Sequence, residues 1–146
     1  MTSITKSALV PFSAQDMYEL VSDIEAYPKF LPWCGGTNII EKSGESVTAS
    51  IAIAYKGVNK SFTTRNRLQP GRVMEMQLVD GPFKALHGYW TFDALDETAC
   101  KVTLDLEFEF SSMLVSMALG PVFESIANNL VDQFQKRAHE IYGKRS

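Results

Sequence analysis

Apolar positions recur along this chain with two different periods, and the places where the period changes lay out the elements. Between Thr37 and Phe110 the period is two, the spacing of a strand with one buried face. It is clearest where Val102, Leu104, Leu106, Phe108 and Phe110 alternate with Thr103, Asp105, Glu107 and Glu109. Further upstream, Val47, Ala49, Ile51, Ile53 and Tyr55 alternate with the small residues Thr48, Ser50, Ala52 and Ala54, which suit a covered or closely approached face. The alternation breaks at Ser43-Gly44, Lys56-Gly57, Pro70-Gly71, Asp80-Gly81-Pro82 and Asp96-Glu97, all turn-forming combinations. Runs this short leave no room for crossover helices, so the pattern predicts consecutive antiparallel hairpins, dry on one face and wet on the other.

Both ends of the chain read differently. Ser3 to Val10 is strand-like and stops at Pro11-Phe12. Ser13 is then placed to cap a helix, with Asp16 completing an S-x-x-D box and Phe12 and Met17 forming a hydrophobic staple. Met17, Leu20, Val21 and Ile24 supply the apolar stripe of a two-to-three-turn helix. Tyr27 to Gly36 reads YPKFLPWCGG, where prolines and glycines forbid a long regular element while large apolar groups crowd together; these either plug the end of the core or line an entrance to it. After Ser111-Ser112 the helical period returns. Met113 to Leu119 forms a first piece, interrupted at Gly120-Pro121, and a new amphipathic helix of about five turns is expected from Pro121, with Phe123, Ile126, Ala127, Leu130, Val131, Phe134, Ala138 and Ile141 on one stripe. The dry face of a curved antiparallel sheet is the partner available to it. An α+β architecture follows, and 146 residues suffice for one core and so for a single domain over 1–146.

Composition narrows the function. The formal charge of -3 gives no general attraction for nucleic acid, so any RNA contact must be a local patch. Cys34 and Cys100 are far apart and lack zinc-ligand spacing, and are expected to be buried thiols. No window approaches the apolar length of a membrane span and the polar start lacks a signal-peptide core, which points to the cytoplasm with peripheral contact to the inner membrane left open.

Recognisable catalytic patterns are missing. His87 and His139 have no ligand-spaced companions, there is no nucleophile elbow, and no glycine-rich phosphate loop occurs. Asp105, Glu107 and Glu109 fall on one strand face and read as a solvated row. What stands out is the apolar inventory of 9 Phe, 5 Tyr, 2 Trp and 6 Met, either ordinary core or the lining of a ligand cavity with Met76, Met113 and Met117 as an adaptable wall. A second feature is the basic content at Lys56, Lys60, Arg65, Arg67 and Arg72. Arg65 and Arg67 share strand parity and should project together, as a phosphate-contacting patch or as an ordinary wet face. Lys136, Arg137, Lys144 and Arg145 make the end of the chain locally basic.

The order strand, short helix, six-strand meander and long helix resembles the helix-grip fold of the START-like, polyketide-cyclase-like superfamily. Within it, YPKFLPWC at Tyr27 to Cys34, FTTRNRL at Phe62 to Leu68, GPFKALHGYWTF at Gly81 to Phe92, LDLEFEFSS at Leu104 to Ser112 and PVFESIANNLVDQFQKRA at Pro121 to Ala138 resemble the coenzyme Q-binding and ribosome-association toxin branch. That resemblance implies two functions of different class. One is non-catalytic binding of ubiquinone or a similar isoprenoid lipid, in support of respiratory electron transport and with no covalently bound cofactor. The other is binding to the large ribosomal subunit so that subunit joining is blocked, as the toxin of a toxin–antitoxin pair. A cyclase-like enzyme is a third reading. Carried over by motif, the gate would be Tyr27, Phe30, Leu31 and Trp33, and the cavity wall Phe62, Phe83, Trp90, Phe108, Phe123, Ile126 and Leu130. In the ribosomal alternative, Lys60, Arg65 and Arg67 would touch RNA.

Overall fold

The alternating segments pair into a seven-stranded antiparallel sheet in the order β1-β7-β6-β5-β4-β3-β2. This is a computed structural model, which describes residues 1–143. In chain order the elements are β1 (Thr2–Val10), α1 (Ala14–Ser22), a 3₁₀ segment (Ile24–Lys29), β2 (Cys34–Ser43), β3 (Ser46–Tyr55), β4 (Val58–Gln69), β5 (Val73–Asp80), β6 (Phe83–Asp96), β7 (Ala99–Phe110) and α2 (Met113–Tyr142). The predicted meander is therefore observed, with every turn where the alternation breaks. The tightest is Lys56-Gly57, where φ values of 50° and 82° give the left-handed pair that a two-residue hairpin needs. β1 pairs with β7, from Thr2 opposite Phe108 to Val10 opposite Cys100, and so joins the ends of the element order.

Alternation becomes burial where α2 lies across the sheet. Cys100, Val102, Leu104, Leu106 and Phe108 of β7 are all buried, as are Phe123, Ile126, Ala127, Val131, Phe134 and Ala138 of α2. At about 25 cal/mol per Å² of apolar surface removed from water, this shared stripe accounts for the attachment of the helix better than its intrinsic propensity. At the other end of the chain, Ser13 caps α1 by accepting the Asp16 N–H at 3.0 Å, and Phe12 and Met17 are both buried, as a staple requires.

The terminal helix departs from expectation. It is one element of 30 residues with Pro121 inside it, not two pieces separated at Gly120-Pro121. Ser112 caps its start, at the expected Met113, by accepting the Val115 N–H at 3.2 Å. The hydrogen bond that Pro121 cannot make would have gone to the carbonyl of Met117, on a solvent-exposed stretch where water can satisfy it, so the helix tolerates the proline. The first turns leave Met113, Leu114 and Met117 in solvent at 80%, 79% and 72% exposure, so Met113 and Met117 are not part of any interior wall. Ile141, expected on the buried stripe, is 41% exposed at the last turn.

α2 also contains a window whose mean hydropathy of 1.3 and length would suit a membrane span, which corrects the expectation that no window comes near one. Of that window, 39% is buried inside the fold. Lys144 and Arg145 of the basic end lie outside the described residues. Arg137 sets its guanidinium 5.1 Å from the ring centre of Phe30.

Candidate functional site: an apolar cavity beneath the terminal helix

Between the concave face of the sheet and α2 a cavity remains, with about 70 Å³ open to the centre of a water-sized sphere. Five consecutive strands contribute to it because inward positions on each share one parity. β3 gives Ile51 and Ile53, β4 Phe62, Thr64 and Asn66, β5 Met74 and Met76, β6 Leu86 and Trp90, and β7 Leu104 and Leu106. α2 covers them with Phe123, Ile126, Ala127 and Leu130, and Ile24, Tyr27 and Trp33 close the remaining side. Among these, Phe62, Met76 and Leu130 are half-buried and the rest are buried.

Seven of the eleven positions expected to form wall and gate line the cavity. Phe62, Trp90, Phe123, Ile126 and Leu130 of the expected wall line the cavity, together with Tyr27 and Trp33 of the expected gate. Phe83 and Phe108 do not. They belong to an aromatic cluster with Phe110 and Phe123, in which Phe108 lies 4.8 Å and Phe83 4.9 Å from the Phe123 ring centre. That cluster is solid filling behind the cavity wall.

Phe30 and Leu31 are also absent from the lining. Leu31 is buried, and Phe30 packs edge-on against Phe134 at 5.4 Å while Arg137 covers it. The YPKFLPWC segment therefore plugs this end: Tyr27 lies edge-on to Phe134 at 5.4 Å and gives its phenolic O–H to the Val21 carbonyl. Burial pushes the Tyr27 phenol far above its ordinary range, with the nearby Cys34 and Asp23 adding to the effect. Trp33 gives its indole N–H to Gln133 on α2 at 3.2 Å.

Two polar residues sit in this apolar surface, and neither was singled out from sequence. Thr64 and Asn66 are the buried polar residues of the described chain, at 3% and 1% exposure, and the Thr64 hydroxyl donates to Asn66 Oδ1 at 3.0 Å. Their signal was available: Phe62, Thr64, Asn66 and Leu68 have the same strand parity, so a polar pair had to face the dry side.

Arg65 and Arg67 do project together, exposed on the opposite, convex face of β4. Lys60 has the parity of Phe62 and does not share their face. In register beside Arg67 stands Glu75, which in turn pairs with His87 Nε2 at 3.6 Å, so the patch is a mixed-charge surface. No group of His, Cys, Asp and Glu among the described residues could hold a metal ion.

A curved antiparallel sheet closed over a long helix, with an apolar hollow between them, defines a ligand-holding class of protein. Residues 10–135 match the family described as polyketide cyclase / dehydrase and lipid transport, and the chain belongs to that family. It is 48% identical over 144 residues to the ribosome association toxin RatA of Vibrio cholerae, covering 99% of this chain and 100% of that protein. It is 29% identical over 146 residues to the mitochondrial coenzyme Q-binding protein COQ10 of Drosophila melanogaster, covering 97% of this chain and 60% of that protein. In fold it matches a START superfamily protein from Mycobacterium smegmatis with a TM-score of 0.72 at 21% identity, over 92% of this chain and 97% of the other. The START-like, helix-grip expectation is met.

Proposed function

We propose that this chain is a non-catalytic binder of an isoprenoid quinone such as ubiquinone, held in the cavity under α2. The observation that carries this reading is the character of the lining, which is aliphatic and aromatic apart from the Thr64–Asn66 pair. Its one titratable group, Tyr27, is locked to the Val21 carbonyl with its phenol held protonated by burial, so the wall offers no acid–base couple for turnover. The relative named as a coenzyme Q-binding protein supports the choice of ligand class. A hollow of about 70 Å³ is smaller than a tailed quinone, so binding must part α2 from the sheet or leave the tail running outward. Each methylene then buried contributes about 0.8 kcal/mol before association costs. Exposed Met113, Leu114 and Met117 give such a carrier an apolar point of contact with a membrane. Organic extraction of the purified protein followed by mass spectrometry tests the reading: a stoichiometric isoprenoid quinone is expected, and a clean blank together with no uptake of added quinone would refute it.

A second reading, association with the large ribosomal subunit as a toxin paired with an antitoxin, is favoured by the 48% identity to a protein of that name over practically its full length. The contact would fall on the convex face at Arg65 and Arg67 and would be salt-sensitive. Sedimentation of ribosomes with added protein should show fewer joined particles. Reversing both charges, Arg65→Glu with Arg67→Glu, should abolish that loss, and persistence of the effect would exclude this face.

A further inference from the structure

The polar atoms of the cavity wall are unequally committed. Tyr27 spends its hydroxyl on Val21 and Trp33 its indole N–H on Gln133, while Thr64 donates to Asn66 Oδ1. With the Asn66 oxygen accepting from Thr64 at 3.0 Å, the amide nitrogen and its two N–H donors are not used in that bond. Asn66 is 1% exposed and lines the cavity. An amide nitrogen set in the wall of an apolar hollow is best matched by an acceptor group placed in that hollow, which a ligand can supply. No charged side chain lines the hollow.

We propose that the Asn66 side-chain amide, oriented by Thr64, is the hydrogen-bond donor that recognises a carbonyl oxygen at the buried end of the ligand. This rests on the cavity-binding reading and gives it a chemical specificity: an apolar molecule whose innermost polar atom is an acceptor. A quinone carbonyl meets that requirement and a plain hydrocarbon does not. Position favours the role. Asn66 lies on β4 between Val47 of β3 and Met76 of β5, so the donor is held on an interior strand and not on a loop.

The test uses the full chain and two probes, a decyl-tailed dimethoxy-methyl-benzoquinone and dodecylbenzene, which has no acceptor oxygen. Both tryptophans of the chain line the cavity, so their emission reports occupancy by either probe. Asn66→Leu should weaken quinone binding about tenfold, ~1.4 kcal/mol, and leave dodecylbenzene binding within about twofold of the parent. Should that variant fold poorly, Thr64→Val combined with Asn66→Leu replaces the pair by apolar groups of similar shape and should give the same selectivity at matched folded fraction. Equal loss of both probes would mean a change of cavity shape and overturn the donor role, as would unchanged quinone binding. If the parent protein takes up neither probe, the cavity-binding reading itself fails, an outcome distinct from failure of the Asn66 assignment alone.

Discussion

Trp33 donates its indole N–H to the side-chain carbonyl of Gln133 at 3.2 Å, joining the segment before β2 to the middle of α2 across 100 residues of chain. The bond crosses the end of the cavity where Tyr27 and Phe134 also meet, so it fastens the plug to the helix that roofs the site. Gln133→Leu removes the acceptor and leaves a half-buried N–H unmatched, which should cost about 1 kcal/mol and lower the melting temperature by a few degrees. Because the lost bond holds plug to roof, dissociation of a bound quinone should accelerate more than association, as stopped-flow tryptophan emission would show. An unchanged dissociation rate would assign the bond to stability alone.

Two large apolar residues expected in one wall have different surroundings, and truncation should separate them. Phe108 is wholly buried within the Phe83, Phe110 and Phe123 cluster and does not reach the cavity. Phe108→Ala should cost about 3–5 kcal/mol in urea unfolding and leave quinone affinity unchanged when compared at equal folded fraction. Leu130 is a half-buried member of the lining, so Leu130→Ala should cost less than the lower end of that range while widening the site and admitting bulkier quinones. A larger stability loss for Leu130→Ala than for Phe108→Ala would reverse the assignment.

The way these residues divide marks how far the sequence could be read. Alternation fixed which side of each strand is dry, and it did so for β7 residue by residue. It carries no information about whether inward side chains touch each other or leave space, and Phe83 and Phe108 fell on the wrong side of that distinction. Attention to aromatics also passed over the aliphatic half of the lining, such as Ile51, Ile53 and Leu104, and over Thr64 and Asn66, although parity alone placed them inward. The Gly120-Pro121 signal misled for another reason. It is a local preference, and here it is overridden by packing: Leu119 and Gly120 are buried, and a Cβ built on Gly120 would stand 3.7 Å from the Phe110 ring, so helix geometry is imposed from the sheet.

Gly88 is the inward residue of β6 between the cavity-lining Leu86 and Trp90. A Cβ there would come within 2.9 Å of the Asp105 carbonyl oxygen and of Leu106 Cδ1, and 3.1 Å from Met76 Cε. Side chains can turn away, but the β7 backbone cannot without disturbing its ladder. Gly88→Ala should therefore destabilise by about 1–3 kcal/mol and press Leu106 and Met76 into the hollow, reducing quinone affinity. Denaturation together with quinone titration checks both effects, and a neutral result in the two would mean that β6 and β7 can separate at this point.

Cys100 gives the fold an alkaline limit that can be measured independently of any ligand. It is fully buried on β7 opposite Val10 and Ala94, and burial first, then the negative charge of Asp93, pushes its thiol from an ordinary 9.0 up to about 11. The folded state thus favours the protonated form, whereas the unfolded chain releases the proton at lower pH. Its contribution to stability is fully present below about pH 9 and is lost as the pH rises through about 11. Cys100→Ala leaves a small void and should be less stable than the parent at pH 7, yet the gap between the two urea midpoints should narrow across that alkaline window. In native protein at pH 8 a thiol reagent should label Cys100 far more slowly than in urea. Labelling at the unfolded rate, or a gap that stays constant with pH, would contradict the burial on which this expectation rests.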